Sequence, residues 1–216
     1  MKKLLLSTMA LALSSTFAMA DTVRLGTEGA YAPWNFINDA GEVDGFEREL
    51  GDELCTRAEL TCEWVTNDWD SIIPNLVSGN YDAIIAGMSI TAERDEVIDF
   101  TQNYTPADPS AYLATSADLD VTGGVIAAQS STIQAAFIAD QGWTLVEFAT
   151  PEETVAAVRA GEADAVLADV RGGGGGMGLR ESDGELRAKF DAAIQSMKDD
   201  GTLNTMIEKW DVATTF

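Results

Sequence analysis

Histidine is absent from all 216 residues. That removes Ser-His-Asp and Cys-His nucleophilic catalysis, and most zinc and haem sites. An enzyme built on this chain would have to work with carboxylates, Tyr, Lys or Ser alone. Basic residues are scarce as well: 13 Lys and Arg stand against 36 Asp and Glu, for a net charge of −23. A surface so acidic argues against nucleic-acid binding, which needs basic patches to displace counterions, and against adhesion to anionic lipid. It favours solubility and long-range attraction of cations. Cysteine is down to two residues, Cys55 and Cys62. The one long apolar run, Leu4 to Phe17, is too short and wrongly flanked to span a membrane, and no later segment could.

What is there begins with a leader. Lys2 and Lys3 form a positive n-region, Leu4 to Phe17 the apolar h-region, and Ala18-Met19-Ala20 an A-x-A cleavage site. The mature chain is therefore expected to start at Asp21 as a soluble, exported protein, most simply in a bacterial periplasm. Asp at position 21, rather than Cys, gives no sign of a lipid anchor. In an oxidising compartment a disulfide is the default for Cys55 and Cys62; free or metal-binding thiols are the alternative. Hydrophobic residues make up 46% of the chain, which supports packed cores.

The pattern alternates strand and helix. Val23–Thr27 reads as a first strand, followed by an aromatic loop, Glu28 to Trp34, and a turn at Asp39-Ala40-Gly41. Phe46 to Ala58 reads as a helix with Phe46, Leu50 and Leu54 on one face. Thr61–Val65, Tyr81–Ile85 and Ile98–Thr101 read as strands and Trp69–Ser78 as a helix. The break at Thr105-Pro106-Ala107-Asp108-Pro109 marks a lobe boundary. Beyond it, strands at Ala111–Ala114, Val125–Ala128, Thr144–Phe148 and Ala165–Ala168 alternate with helices at Ser131–Asp140 and Pro151–Ala160. The last quarter, Asp183–Lys198 and Leu203–Trp210, is helical. This order predicts a mostly parallel α/β architecture. Gly172 to Gly176, a run of five glycines, reads by itself as a flexible linker.

Residues Tyr81–Thr101 carry the densest chemistry. The apolar run Ala83-Ile84-Ile85 stops at Ala86-Gly87. Then follow Ser89, Thr91 and a lone Arg94 in an acidic neighbourhood. This predicts a buried strand, a hydroxyl-bearing turn and a short helix. Arg94 presents a planar fork of donors suited to a carboxylate. Spacing alone equally allows a surface ion pair with Glu93, Asp95 or Glu96.

With these residues in view, the chain resembles the periplasmic binding proteins of polar amino-acid ABC transporters, nearest the lysine/arginine/ornithine and histidine branch. The matching pieces are VRLGTEGAYAPWNF, GEVDGFERELGDELC, the C-x6-C spacing, WDSIIPNLVSGNYDAIIAGMSITAERDEVIDFT, the QSST turn, AGEADAVLAD and GMGLRESDGELRAKFDAAIQSMKDDGTLN. The resemblance implies a type II two-lobe fold, each lobe a mostly parallel sheet flanked by helices, closing on a hinge. Lobe 1 would comprise residues 21–107 with a return over 177–216, and lobe 2 residues 108–176. It also implies that Arg94, with Ser89 and the Ala86-Gly87-Met88 backbone, grips a ligand α-carboxylate, together with Ser131 and Thr132 from the second lobe. Asp169 would take the α-ammonium. Tyr31, Trp34 and Trp69 would line a side-chain pocket, and Glu28 would face a cationic side chain. Asp169 could instead cap a helix, and Trp34 and Trp69 could be core. Two departures stand out. Arg48 replaces a usual apolar residue and must snorkel outward. About one helix and one strand are missing between Asp169 and GMGLR, so the second lobe is truncated and small.

The expected function is capture of a polar or cationic amino acid and delivery to an inner-membrane ABC permease. The protein would act as a monomer, with no cofactor, metal, nucleic acid or membrane insertion. The rivals are a binding-impaired or sensory module, and a carboxylate-dependent dehydratase with Glu28 as general acid.

Overall fold

The computed structural model describes residues 22–171 and 174–216. The expected leader, together with Gly172 and Gly173, lies outside the described residues. Along the chain, β1 (Val23–Thr27) leads into a three-stranded antiparallel sheet of β2 (Ala30–Tyr31), β3 (Asn35–Ile37) and β4 (Val43–Asp44). Sequence patterning reads Glu28 to Trp34 as loop and assigns no strand to Asn35–Ile37 or Val43–Asp44, because strands of two or three residues are too short to show an alternation. Helix α1 (Phe46–Arg57) follows, with Phe46, Leu50 and Leu54 fully buried on one stripe. Cys55 of α1 is disulfide-bonded to Cys62, the first residue of β5 (Cys62–Thr66). Arg48 does turn outward: its Nε donates to Asp52 at 2.7 Å, and its guanidinium lies 5.8 Å over the Trp64 ring.

A single 3-10 turn at Trp69–Ser71 opens α2 (Ile72–Val77), then come β6 (Ala83–Ile84), α3 (Ala92–Asp95) and β7 (Asp99–Phe100). The chain crosses to a second sheet through β8 (Ser110–Ala114), β9 (Val125–Gln129), α4 (Ile133–Asp140), β10 (Thr144–Phe148), α5 (Pro151–Ala160) and β11 (Ala165–Asp169). It returns through β12 (Gly178–Leu179) to α6 (Gly184–Asp199) and α7 (Thr202–Trp210). Helix α5 is fixed where Pro151 predicts: Thr150 and Glu153 form a reciprocal capping box, and Gly161 ends the helix in the left-handed conformation.

The first sheet has the order β5-β1-β6-β12-β7, with β12 alone antiparallel to its neighbours. One face packs on α1, α6 and α7 through Leu25, Phe46, Leu50, Phe190, Ile194 and Leu179; the other packs on α2 through Ile72, Leu76, Tyr81 and Ile84. The second sheet has the order β10-β9-β11-β8, with β8 antiparallel. Alternation along β9 sends Ile126 and Ala128 to α4 and Ala127 to α5.

The glycine run is not a linker where it is described. Gly174 to Gly176 are buried and form the second crossing. The Gly175 carbonyl accepts from the Tyr104 amide at 2.8 Å, its N–H donates to Thr105 Oγ1 at 3.1 Å, and it bridges to Ser89. A Cβ at Gly175 would lie 2.9 Å from the Tyr104 ring and hydroxyl, so only glycine lets the two crossings touch here. Among the described residues no helix is long and apolar enough to cross a membrane.

Candidate functional site

One wall of the cleft between the sheets comes from the end of β6. Past Ile84 the chain turns through Ala86, Gly87, Met88 and Ser89. Gly87 has φ +62°, and a Cβ there would sit 3.0 Å from the Tyr31 ring. Glycine thus allows the turn to lie directly under Tyr31. Thr91 then caps α3, its Oγ1 accepting from the Arg94 amide at 3.2 Å. The cap aims Arg94 back over the turn. Its Nη1 donates to the Ser89 carbonyl at 2.9 Å and its Nη2 to the Ser131 carbonyl at 3.4 Å, and the guanidinium lies 5.4 Å over the Trp69 ring. Arg94 makes no ion pair among the described residues, so Glu93, Asp95 and Glu96 do not consume it. Burial lowers its pKa, while Glu93 and Asp169 pull the other way.

The facing wall comes from the end of β11. Asp169 Oδ1 accepts from Ser110 Oγ at 3.0 Å and from Gln134 Nε2 at 2.6 Å. Its Oδ2 makes no hydrogen bond among the described residues. Burial raises the Asp169 pKa; Ser110, Arg94 and Gln134 oppose that shift. A half-buried cation and a half-buried anion therefore face one cleft, each with hydrogen-bonding capacity to spare.

Between them the cleft holds about 580 Å³ of empty space, counting its open mouth. Tyr31, Trp69, Ile133 and Pro151 give it apolar sides. Tyr31 stacks on Trp34 with ring centroids 6.0 Å apart, and burial raises its pKa. Glu28 closes one end. Burial pushes its carboxyl up to about 7, against the hydrogen bond from Gln129 Nε2 at 2.6 Å. Glu47, Asp68 and Asp70 add like-charge repulsion.

Of the residues named from sequence, Glu28, Tyr31, Trp69, Ala86, Gly87, Ser89, Arg94 and Asp169 line this cleft. Four lie elsewhere. Trp34 is 2% exposed and packs beneath Tyr31, edge-on to Phe46, so it supports the wall without forming it. Met88 is buried in the core on the α2 side. Ser131 and Thr132 line an adjoining groove that also contains Arg94 and Phe137. Thr132 has both hydrogen-bonding modes occupied locally: it caps α4 by accepting from the Ala135 amide at 3.2 Å and donates to the Gln129 carbonyl at 2.6 Å. Ser131, at φ +57°, offers its carbonyl to Trp69 Nε1 and to Arg94.

Sequence reasoning missed Gln129 and Gln134, each donating to a cleft carboxylate, and Glu47 beneath the turn. Gln134 had a signal, being the one amide in the apolar stretch IQAAFIA. Glu47 had a weaker one: with Gly51 and Cys55 it forms a second row beside the Phe46 stripe.

Residues 23–213 match the family described as bacterial extracellular solute-binding proteins, family 3. A periplasmic His/Glu/Gln/Arg/opine family-binding protein from Silicibacter pomeroyi, solved in complex with lysine, is 71% identical. The match covers 88% of this chain and 96% of that one, with a TM-score of 0.85. A histidine-binding periplasmic protein of Escherichia coli (strain K12) is 31% identical over 252 residues, covering 97% of each chain. That alignment is longer than the 216 residues present here, so dozens of its positions face no residue in this chain. The third likeness is an ancestral amino acid-binding protein, a precursor of cyclohexadienyl dehydratase. It is 27% identical with a TM-score of 0.82, and the match covers 88% of this chain and 94% of that one.

Proposed function

Since the chain belongs to the family-3 bacterial extracellular solute-binding proteins, we propose that it captures one amino acid with a cationic or polar side chain and hands it to an ABC permease. It does so in the periplasm, as a monomer, without chemistry of its own. The observation that carries this reading is the pair Arg94 and Asp169. Both are half-buried, both face the cleft, and both keep free hydrogen-bonding capacity. A zwitterion needs one cation, one anion and neutral donors, all partly desolvated. Arg94 and Ser89 hold the α-carboxylate, Asp169 Oδ2 the α-ammonium, and the side chain runs along Tyr31 and Trp69 toward Glu28. A cationic end there meets a carboxyl that burial alone leaves near neutrality, and ionises it.

The test is a thermal-shift screen of the twenty amino acids with ornithine and citrulline, since a bound ligand raises Tm in proportion to the logarithm of its concentration. Lysine, arginine or ornithine is expected to give the largest shift. Arg94→Ala should then cost about 2–5 kcal/mol of affinity by calorimetry, as for one partner of a buried charge pair. Unchanged affinity would remove Arg94 from the site.

A second reading has one observation in its favour. Glu28, held near neutrality in a cleft, has the character of a general acid, which suits a dehydratase of prephenate-like acids. Incubation with prephenate and arogenate decides it: no product is expected, and turnover lost in Glu28→Gln would reverse that.

A further inference from the structure

Glu47 is fully buried on α1, the one carboxylate among the described residues that is. It does not line the cleft, yet three segments that shape the cleft end on it. Its Oε1 accepts from the Gly87 amide at 2.6 Å, within the turn that carries Ser89. The same oxygen accepts from the Tyr104 hydroxyl, on the first crossing, the segment that links β7 to β8. Its Oε2 accepts from Asn35 Nδ2 at 2.7 Å, and Asn35 Oδ1 in turn accepts from the Gly29 amide at 2.7 Å, next to Glu28. Tyr104 passes the connection on: its amide bonds the Gly175 carbonyl, and Gly176 bonds the Met88 carbonyl at 3.2 Å. Both crossings and both lobe-1 parts of the cleft wall thus close on one side chain.

A merely packed residue would not need this chemistry. Desolvation of a carboxylate is costly, and this one is compensated only because all three partners are donors. A carboxylate is the one side-chain group of this size that accepts from three donors with no donor of its own.

We infer that Glu47 is a positioning residue of the binding cleft, fixing the Gly87 turn, the Gly29 loop and the first crossing in a single register. This rests on the reading above that the Gly87–Ser89 turn and Glu28 hold the ligand. Loss of the carboxylate should therefore loosen the grip on ligand by more than it loosens the fold.

The sharpest variant is Glu47→Gln. Its new amide group would face the Asn35 amide, donor against donor. Adding Asn35→Asp gives that amide an acceptor while still serving Gly29, and keeps one carboxylate in the pocket. Ile194→Val, on the buried face of α6, supplies a control with a comparable loss of Tm. L-lysine is the probe, titrated calorimetrically at a temperature where every variant is folded. Gly87 amide exchange is followed without ligand. Glu47→Gln should weaken lysine at least tenfold and speed Gly87 exchange at least a hundredfold. Ile194→Val should change neither, and the double variant should recover most of both. Lysine affinity within twofold of the parent, or no recovery in the double variant, overturns the inference. Should Glu47→Gln fail to fold, Tyr104→Phe cuts only the link to the crossing. Gly87 should then stay protected while lysine dissociates at least fivefold faster, and unchanged dissociation overturns the inference. If the parent protein binds no lysine, the proposed function is what fails. Gly87 exchange still decides the positioning role: no acceleration in Glu47→Gln ends it.

Discussion

The two sheets share a plan that only one completes. Each runs second strand, first strand, third strand, then an antiparallel strand delivered by a crossing: β5-β1-β6-β12 in one and β10-β9-β11-β8 in the other. The first sheet adds β7 outside β12, and both residues of β12 are buried. In the second sheet no described strand lies outside β8, and four of its five residues are exposed. Tyr112 and Leu113 stand open to solvent, as does Val170 beyond β11. A crossing strand cannot bury itself; it needs an outer neighbour to take up its free edge. The consequence reaches the cleft. Arg94 and the Gly87 turn rest on a sheet covered on both faces and held from below by Glu47. Asp169 ends the strand next to the bare edge and is steadied by Ser110, which belongs to that edge.

The plainest way to break this comparison is to cut equivalent side chains. Leu179 of β12 is fully buried, whereas Leu113 of β8 is 56% exposed. Leu179→Ala should cost about 2–5 kcal/mol in urea unfolding, the range for a buried leucine in a packed core. Leu113→Ala should stay within about 0.5 kcal/mol, as an exposed position does. Equal losses would mean that β8 is covered in solution, and the asymmetry would vanish.

A smaller effect separates the two cleft carboxylates from the rest of the acidic surface. Burial raises the pKa of both Glu28 and Asp169. For Glu28 the folded value is about 7 against an ordinary 4.5. A raised carboxyl favours the folded state in its neutral form. That contribution is full below pH 4.5 and is lost as pH rises to about 7, amounting to at most about 3 kcal/mol. Ligand-free protein should therefore lose stability across that window, and Glu28→Gln should flatten the loss. Lysine should reverse the sign, because its ammonium favours the ionised carboxyl: binding should release a proton and tighten between pH 6 and 8. Calorimetry in buffers of different ionisation enthalpy reads both. A profile unchanged in Glu28→Gln would assign the dependence to Asp169, and so to the other lobe.

How far the sequence anticipates all this follows the same division. Strands and helices with a full period were legible: β1, α1, β10 and α5 begin where the pattern puts them, within a residue at their ends. So was the local shape of the Arg94 turn, a buried strand ending at Ala86-Gly87 and a short helix capped by Thr91, although spacing alone left the partner of Arg94 open. Contacts made by distant segments were not. Trp34 reads as pocket or core with equal ease, since it lies in the turn between β2 and β3, where no alternation tells which way a side chain faces. Thr132 reads both as a ligand donor and as an N-cap, and it does cap α4, bonding the Ala135 amide and the Gln129 carbonyl. Glu47 sits among five other acidic residues from Glu42 to Glu53, and only its place in a row with Gly51 and Cys55 marks it as the one that faces inward. The missing helix and strand were legible as a gap, whereas the bare edge of β8 required the sheet order.

The smallest expected effect tests what holds the lobes to each other and not what holds each together. Ser130 Oγ reaches across the cleft rim to Asp70, 2.8 Å from Oδ1 and 3.1 Å from Oδ2. Ser130→Ala removes a charge-assisted hydrogen bond at an exposed position, worth roughly 0.3–1 kcal/mol once solvent competes for it. Urea unfolding should barely register it, because neither core loses an atom. Lysine dissociation should quicken by about two- to fivefold, the kinetic equivalent of that energy if the bond must break before the ligand leaves. High salt should shrink the difference, since the bond depends on an exposed carboxylate. A variant that unfolds more easily but releases ligand at the parent's rate would place Ser130 in the support of the second sheet, where its contact with the Phe148 carbonyl already lies, and would leave the Gln129–Glu28 bond and those of Trp69 and Arg94 to the Ser131 carbonyl to tie the two walls.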